Sequence, residues 1–332
     1  MDREPEELQF LGFFGIYKES YKIIFTWRKL FSRITIALIL PLSLVFLANI
    51  QISDLILSKI NKSEEALDYS QDGSPKQDEI LNRILAEWAT YLLLKMTYLI
   101  FVLVFSLLST SGVVYTIACI YTAKDITFKR VIHVVPKVWK RLMITFLWAI
   151  ILTLGYNTIT ILIMALCLAI TGPGRAGIVA FIIMIVAYLM GLVYISVVWH
   201  LASVVSVLEN MYGLTAMQKS KALIKGKTWV ASAIFLTLIL SFTAVHVLFA
   251  RFVVHGETLG LGARIGYGVL ILLCLAKLIL FGLVVQTVIY FMCKSYHLQN
   301  IDKSCLADHL GVYLGEYVPL KGSAVQPEQL YV

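Results

Sequence analysis

Six stretches of this chain are apolar for long enough to cross a lipid bilayer: about Ile34–Ile50, Ala89–Tyr121, Leu142–Ile170, Ala176–Leu208, Val230–Val254 and Ile265–Lys294. The hydrocarbon layer is about 30 Å thick and a helix rises about 1.5 Å per residue, so roughly 20 mainly apolar residues span it. Within that layer the backbone has no water to bond. Only helices and closed barrels then satisfy its N–H and C=O groups, and the short alternating segments of a barrel are missing here. Composition points the same way, with 59% hydrophobic and 14% charged residues against roughly 45–50% and 25% in soluble domains. The expected fold is all-α: a polytopic integral membrane bundle of six transmembrane helices.

The distribution of Lys and Arg predicts the orientation of the bundle. Nineteen fall before the first span, in the second and fourth connections and after the last span, against seven on the opposite side, with Lys95 and Lys277 inside spans. This places both termini in the cytosol, with residues 1–33 a cytosolic amphipathic segment, 34–297 the membrane domain and 298–332 a cytosolic tail. The first 33 residues lack an apolar core followed by a small-residue cleavage site, so the first span is expected to direct its own insertion into a secretory-pathway or plasma membrane. The acidic segment 51–88 falls on the lumenal or extracellular side, and its Asn61-Lys62-Ser63 is an N-glycosylation acceptor pattern usable only there. None of the five cysteines lies in a far-side loop, so no disulfide framework is expected.

Three basic amphipathic segments precede the odd-numbered spans. Phe10, Phe13, Phe14, Tyr17, Tyr21, Ile24 and Phe25 form the first apolar stripe, beside Lys18, Glu19, Lys22 and Arg28. Phe128, Val131, Ile132, Val135, Val138 and Trp139 form the second, within 125–141. Gly213, Ala216, Met217, Ser220, Leu223 and Ile224 form the third, within 211–228. Trp27-Arg28-Lys29-Leu30 matches Trp139-Lys140-Arg141-Leu142, and Trp229 opens the third copy without the basic pair. Val113-Val114-Tyr115 matches Val288-Ile289-Tyr290 in the returning spans, with Val197-Val198-Trp199 in the corresponding place. The pattern predicts three repeats, each an amphipathic cytosolic helix lying in the headgroup layer plus a helical hairpin, with 51–88 an insertion in the first. Pro136 is expected to kink the middle copy.

Glu209, Gly213, Ala216, Lys219-Ser220, Leu223, Lys225-Gly226 and Trp229, following an apolar run, resemble the repeat of a membrane domain attached to some glycerophosphodiester phosphodiesterases and present in related bacterial multi-span proteins. Over nearly its whole length, from MDREPEELQFLGFFGIYKESYKIIF onward, the chain also resembles a plant family of six-span proteins of about this size. These resemblances imply a fold and no activity, because the phosphodiesterase chemistry belongs to a separate soluble barrel without counterpart here.

Candidate chemistry is sparse. No Asp or Glu lies inside the six runs, which argues against a proton-coupled carboxylate relay. Lys277, about 18 Å into its span, is a candidate anion or lipid contact near the midplane. Lys219, Lys221 and Lys225 are candidates for anionic headgroups at the cytosolic face, and Asn61 is the candidate glycosylation site. His200, His246, Asn157, Gln286 and Ser109-Thr110-Ser111 could line a polar cavity, although single polar residues more commonly bond across helices. No HExxH, Cys-x-x-Cys or grouped His and acidic residues suggests a metal or a catalytic centre, and no cofactor is expected. Gly260, Gly262 and Gly266 fit a dinucleotide fingerprint only superficially, and the net charge of +8 follows from topology, with no case for nucleic acid. Tyr317-Val318-Pro319-Leu320 has the form of a sorting signal. The expected function is a non-enzymatic membrane protein organising anionic lipids or a cytosolic protein partner. The alternative is a transporter or channel for a lipid or small anion using Lys277.

Overall fold

The computed structural model describes residues 11–68, 75–122, 127–172, 174–256 and 260–297. Phe10 and Tyr317-Val318-Pro319-Leu320 lie outside them. Every regular element among the described residues is helical: α1 (Phe13–Thr26), α2 (Arg28–Ile34), a wide π turn (Thr35–Ile39), α3 (Leu40–Asp68), α4 (Pro75–Tyr121), α5 (Phe128–Thr171), α6 (Arg175–Leu208), α7 (Leu214–Ile224), α8 (Thr228–Phe249), a second π turn (Ala250–Val254) and α9 (Leu261–Tyr296). Six of these helical runs are long and apolar enough to cross a membrane. They pair as three hairpins, α3–α4, α5–α6 and α8–α9.

The hairpins converge at one end, referred to below as the basic end, and separate toward the other. At the basic end the principal core combines Phe31, Ile34, Val113, Val114, Val138, Leu142, Val197, Leu201, Val284 and Val288 from all three hairpins. The outgoing segments that match between repeats therefore meet in one place. Val113, Val114, Tyr115, Val197, Val288, Ile289 and Tyr290 are all buried. Farther along, a small second cluster of Leu47, Val245, Phe249, Val254, Ile271 and Leu275 joins the first and third hairpins. The outer part of α5–α6 has no such contact, and residues from Ile151 to Met190 present Leu, Ile and Val outward along both helices. In lipid this carries no hydrophobic penalty, because acyl chains are as apolar as the side chains they cover.

The repeats differ from the sequence expectation in three respects. The middle amphipathic segment is not a separate in-plane helix, because α5 runs without interruption from Phe128 through Pro136 into the span. Its buried stripe is Val131, Val134, Val135, Val138 and Leu142, and Ile132 is exposed. Segment 51–88 is an extension of the first hairpin: α3 and α4 continue as helices to Asp68 and from Pro75, and the 47 residues of α4 extend about 70 Å, well beyond a bilayer core.

In the first copy the aromatic stripe is split, with Phe13, Tyr17 and Ile24 packed against the core. Phe14, Tyr21 and Phe25 point outward, at 83%, 64% and 62% exposure, while Ile16, Glu19, Ser20 and Ile23 are buried. A helix at the bundle surface has apolar material on both sides. Small and branched residues permit close approach to α8 and α9, and bulky rings are free to face lipid. Tyr17 anchors this packing, bonding Thr237 through its hydroxyl and lying 5.4 Å, centroid to centroid, from the Phe281 ring.

Candidate functional site at the basic end

The third copy supplies the most highly organised polar cluster. Its stripe matches the sequence expectation fully, since Gly213, Ala216, Met217, Ser220, Leu223 and Ile224 are all buried. Where α6 ends at Leu208 the chain turns, and Glu209 projects between α7 and α9. Lys219 Nζ lies 2.6 Å from Glu209 Oε2 and Lys294 Nζ 3.0 Å from Oε1, with the carboxylate side chain only 12% exposed. The Tyr290 hydroxyl donates to Oε1 at 2.6 Å, and Lys294 Nζ is also 3.2 Å from that hydroxyl. Burial alone pushes the Glu209 carboxyl up, but the hydrogen bonds from Lys219 and Tyr290 and the charge of Lys294 outweigh it and hold the pKa below the ordinary carboxylate value.

Backbone geometry fixes α7 on either side of this cluster. Gly213 adopts φ +65°, and its N–H donates to Thr145 Oγ1 at 2.7 Å, which lies 2.7 Å from Ser206 Oγ. Ser220 donates its hydroxyl to the Val198 carbonyl at 2.7 Å. Beyond α7, Gly226 adopts φ +90°, and a Cβ there would come within 2.7 Å of the Tyr296 ring. Lys227 stands 5.2 Å from the centre of that ring. His297 Nε2–H is shared by the carbonyls of Leu223 and Lys225 at 3.0 and 3.1 Å. Thus Glu209, Gly213, Ser220 and Gly226 are the joints that hold a short helix across α5, α6 and α9.

The candidate lysines separate into different environments. Lys219 is not available to a headgroup, because a carboxylate so little exposed requires a paired countercharge and Lys219 supplies it. Lys221 and Lys225 are exposed. So are Lys18, Lys22, Arg28 and Lys29 on α1 and α2, and Lys129, Arg130 and Lys140 on α5, forming a basic belt together with Phe14, Tyr21, Phe25 and the 85%-exposed Trp229.

Lys277 lies on the outward stripe of α9 with Leu270, Leu273 and Cys274, opposite the buried Ile271, Leu275, Ala276 and Leu280. Its side chain projects from the bundle and not into a passage between hairpins. Asn61 is exposed on α3, while the Ser63 hydroxyl donates to Glu87 Oε2 at 3.0 Å.

Of the polar residues considered as a cavity lining, only His200 and Gln286 meet among the described residues. His200 Nδ1 and Gln286 Oε1 are paired at 2.8 Å within the bundle. Asn157 accepts from the Tyr188 hydroxyl at 2.8 Å inside the second hairpin. Ser111 bonds its own helix at Leu107 O, and His246 is exposed. Gly262 and Gly266 belong to α9, with Gly260 just before it, so their spacing is that of a helix start. Sequence reasoning missed the pairing of Glu209 with Lys294 and Tyr290, which lie 85 and 81 residues away. The only signal was an acidic residue at the end of an apolar run, four residues before a Gly.

These features define a polytopic helical membrane protein in which three hairpins are joined at one basic end. The chain belongs to the family described as Domain of unknown function (DUF8558), whose model matches residues 1–330. No curated protein and no solved structure matches it.

Proposed function

We propose that the basic end faces the cytosol and that the protein is a non-enzymatic organiser of anionic lipid at that surface, presenting a rigid belt to the headgroups and to a cytosolic protein partner. The observation that carries this reading is the division of labour around α7. Glu209 pairs with both Lys219 and Lys294 and ties α7 to α9, while Lys221 and Lys225 stay exposed on a surface that also bears outward aromatic rings. Aromatic rings suit the water–lipid boundary and lysines suit lipid phosphates.

Each lysine near an anionic surface contributes about 1 kcal/mol, so the Lys221→Gln/Lys225→Gln pair is expected to lower the preference for phosphatidylserine over phosphatidylcholine about 30-fold. Partitioning of labelled lipids around the protein in mixed bilayers measures this, and an unchanged preference refutes the reading. Orientation is tested separately at Asn61. Expression in a glycosylating cell is expected to give a glycosidase-sensitive mass that Asn61→Gln abolishes. Because the Ser63 hydroxyl is engaged by Glu87 in the folded hairpin, the sugar must be added before α3 and α4 pair. Protection of residues 51–88 from a protease added outside sealed, lumen-in vesicles is the accompanying expectation, and their cleavage there would invert the orientation.

A further inference from the structure

The first hairpin holds a cation whose surroundings differ from those of the paired lysines at the basic end. Lys95 lies on α4, about 39 Å of helix from Tyr121. The sequence suggests that it reaches along the lipid surface to water. Instead its ammonium turns across the hairpin and donates to Asn49 Oδ1 at 3.0 Å and Ser53 Oγ at 2.7 Å. The rings of Tyr91 and Tyr98 lie 5.2 and 5.8 Å from it, measured to their centroids.

Two of its three protons are thus committed to neutral acceptors, and no carboxylate pairs with it among the described residues. Asp54, adjacent to Ser53, lies 3.8 Å from His255. Tyr91 and Tyr98 line a cavity of about 180 Å³ together with Lys95, Asn49 and Ser53, and their hydroxyls make no hydrogen bond among the described residues. At about 30 Å³ per water that is room for about six water-sized groups, sufficient for a phosphate and the first atoms attached to it. Apart from Thr97 the rest of the lining is apolar, and Leu44, Ile52 and Phe101 carry it onto the exposed, lipid-facing surface.

A cation with only neutral ligands is costly at membrane depth unless an anion reaches it. Here two tyrosine rings flank the cation, and an apolar groove leads from it to the lipid-facing surface. From this arrangement we infer that the Lys95 cavity binds the phosphate of a phospholipid from the leaflet remote from the basic end. Lys95 supplies the charge, Asn49 and Ser53 orient its ammonium, the tyrosine hydroxyls donate to the phosphate oxygens, and the groove takes the start of one acyl chain. The inference concerns the opposite end of the molecule and does not depend on the reading of the basic belt.

The test uses the full chain in nanodiscs with a phosphatidic acid carrying a photoactivatable group near the glycerol end of one acyl chain. Peptide mass spectrometry is expected to place the label on Leu44–Ile56 and Tyr91–Phe101. Lys95→Gln is expected to reduce labelling about tenfold, with Lys95→Arg retaining most of it. Unlabelled phosphatidic acid competes, and inorganic phosphate at the same concentration does not. Label spread evenly over the lipid-facing helices of the unaltered protein overturns the inference whatever the variants do. So does undiminished labelling of Lys95→Gln, and equal competition by inorganic phosphate would assign the site to a soluble anion.

Discussion

Replacing Glu209 by Gln is expected to cost the bundle about 3–5 kcal/mol of stability, because removal of one partner leaves buried charge uncompensated. Gln keeps the shape and can still accept from the Tyr290 hydroxyl, so the loss reports charge and not volume. Lys219 and Lys294, now facing each other across a neutral amide, repel, and α7 loses its ionic tie to α9. The readout is the unfolding midpoint of the reconstituted protein. A change below about 1 kcal/mol would mean that both lysines find water without cost, as exposed ion-pair partners do. Adding Lys219→Met to Glu209→Gln is expected to recover part of the loss, since it removes one of the two orphaned charges.

The same carboxylate gives the protein an acid-sensitive joint. Its pKa is lower folded than unfolded, so its stabilising contribution is fully present above the ordinary value of 4.5 and is lost as pH falls through the depressed folded value. Unfolding midpoints measured downward from pH 6 are expected to decline more steeply for the unaltered chain than for Glu209→Gln. Parallel profiles would remove Glu209 from the account.

The second large effect is expected at Gly226. Its φ of +90° is one that side-chain-bearing residues rarely adopt, and a Cβ would press against the Tyr296 ring at 2.7 Å. Gly226→Val is expected to destabilise by on the order of 3 kcal/mol, from backbone strain together with the loss of the Lys227–Tyr296 contact. Tyr296→Ala in the same chain relieves the steric part and leaves the backbone part. If Gly226→Val and the double variant unfold alike, the ring contact is immaterial. The N-terminal joint, Gly213 at φ +65°, is held by a hydrogen bond to Thr145, so its replacement by Ala is expected to loosen the opposite end of α7.

How far the molecule was legible depended on which physical force set each feature. The six spans followed from length and apolarity, since a bilayer offers the backbone almost no alternative to a helix. The third stripe was read correctly, from Gly213 to Ile224, because its small residues can only be packed against protein. The first stripe was read correctly only in part, for Phe13, Tyr17 and Ile24, for a related reason. A helix at the bundle surface places rings such as Phe14 and Phe25 toward lipid as readily as toward protein, so hydrophobicity does not distinguish the two faces. α5 runs without interruption through Pro136, although Pro136 cannot donate to the carbonyl of Ile132 four residues earlier.

Charge was legible as a total and not as a set of partners. A chain rich in lysine near one face announces a basic surface, yet nothing local distinguishes Lys219, which closes an ion pair with Glu209, from Lys221 two residues later, which stays exposed. Nor does spacing along the chain separate Lys95, turned into a cavity by Asn49 and Ser53, from Lys277, left on the outer stripe of α9. A helix repeats every 3.6 residues, so sequence places each lysine on a face. Which faces are covered, and by what, follows from how three hairpins converge at the basic end and separate beyond it, an arrangement set by contacts between residues tens of positions apart.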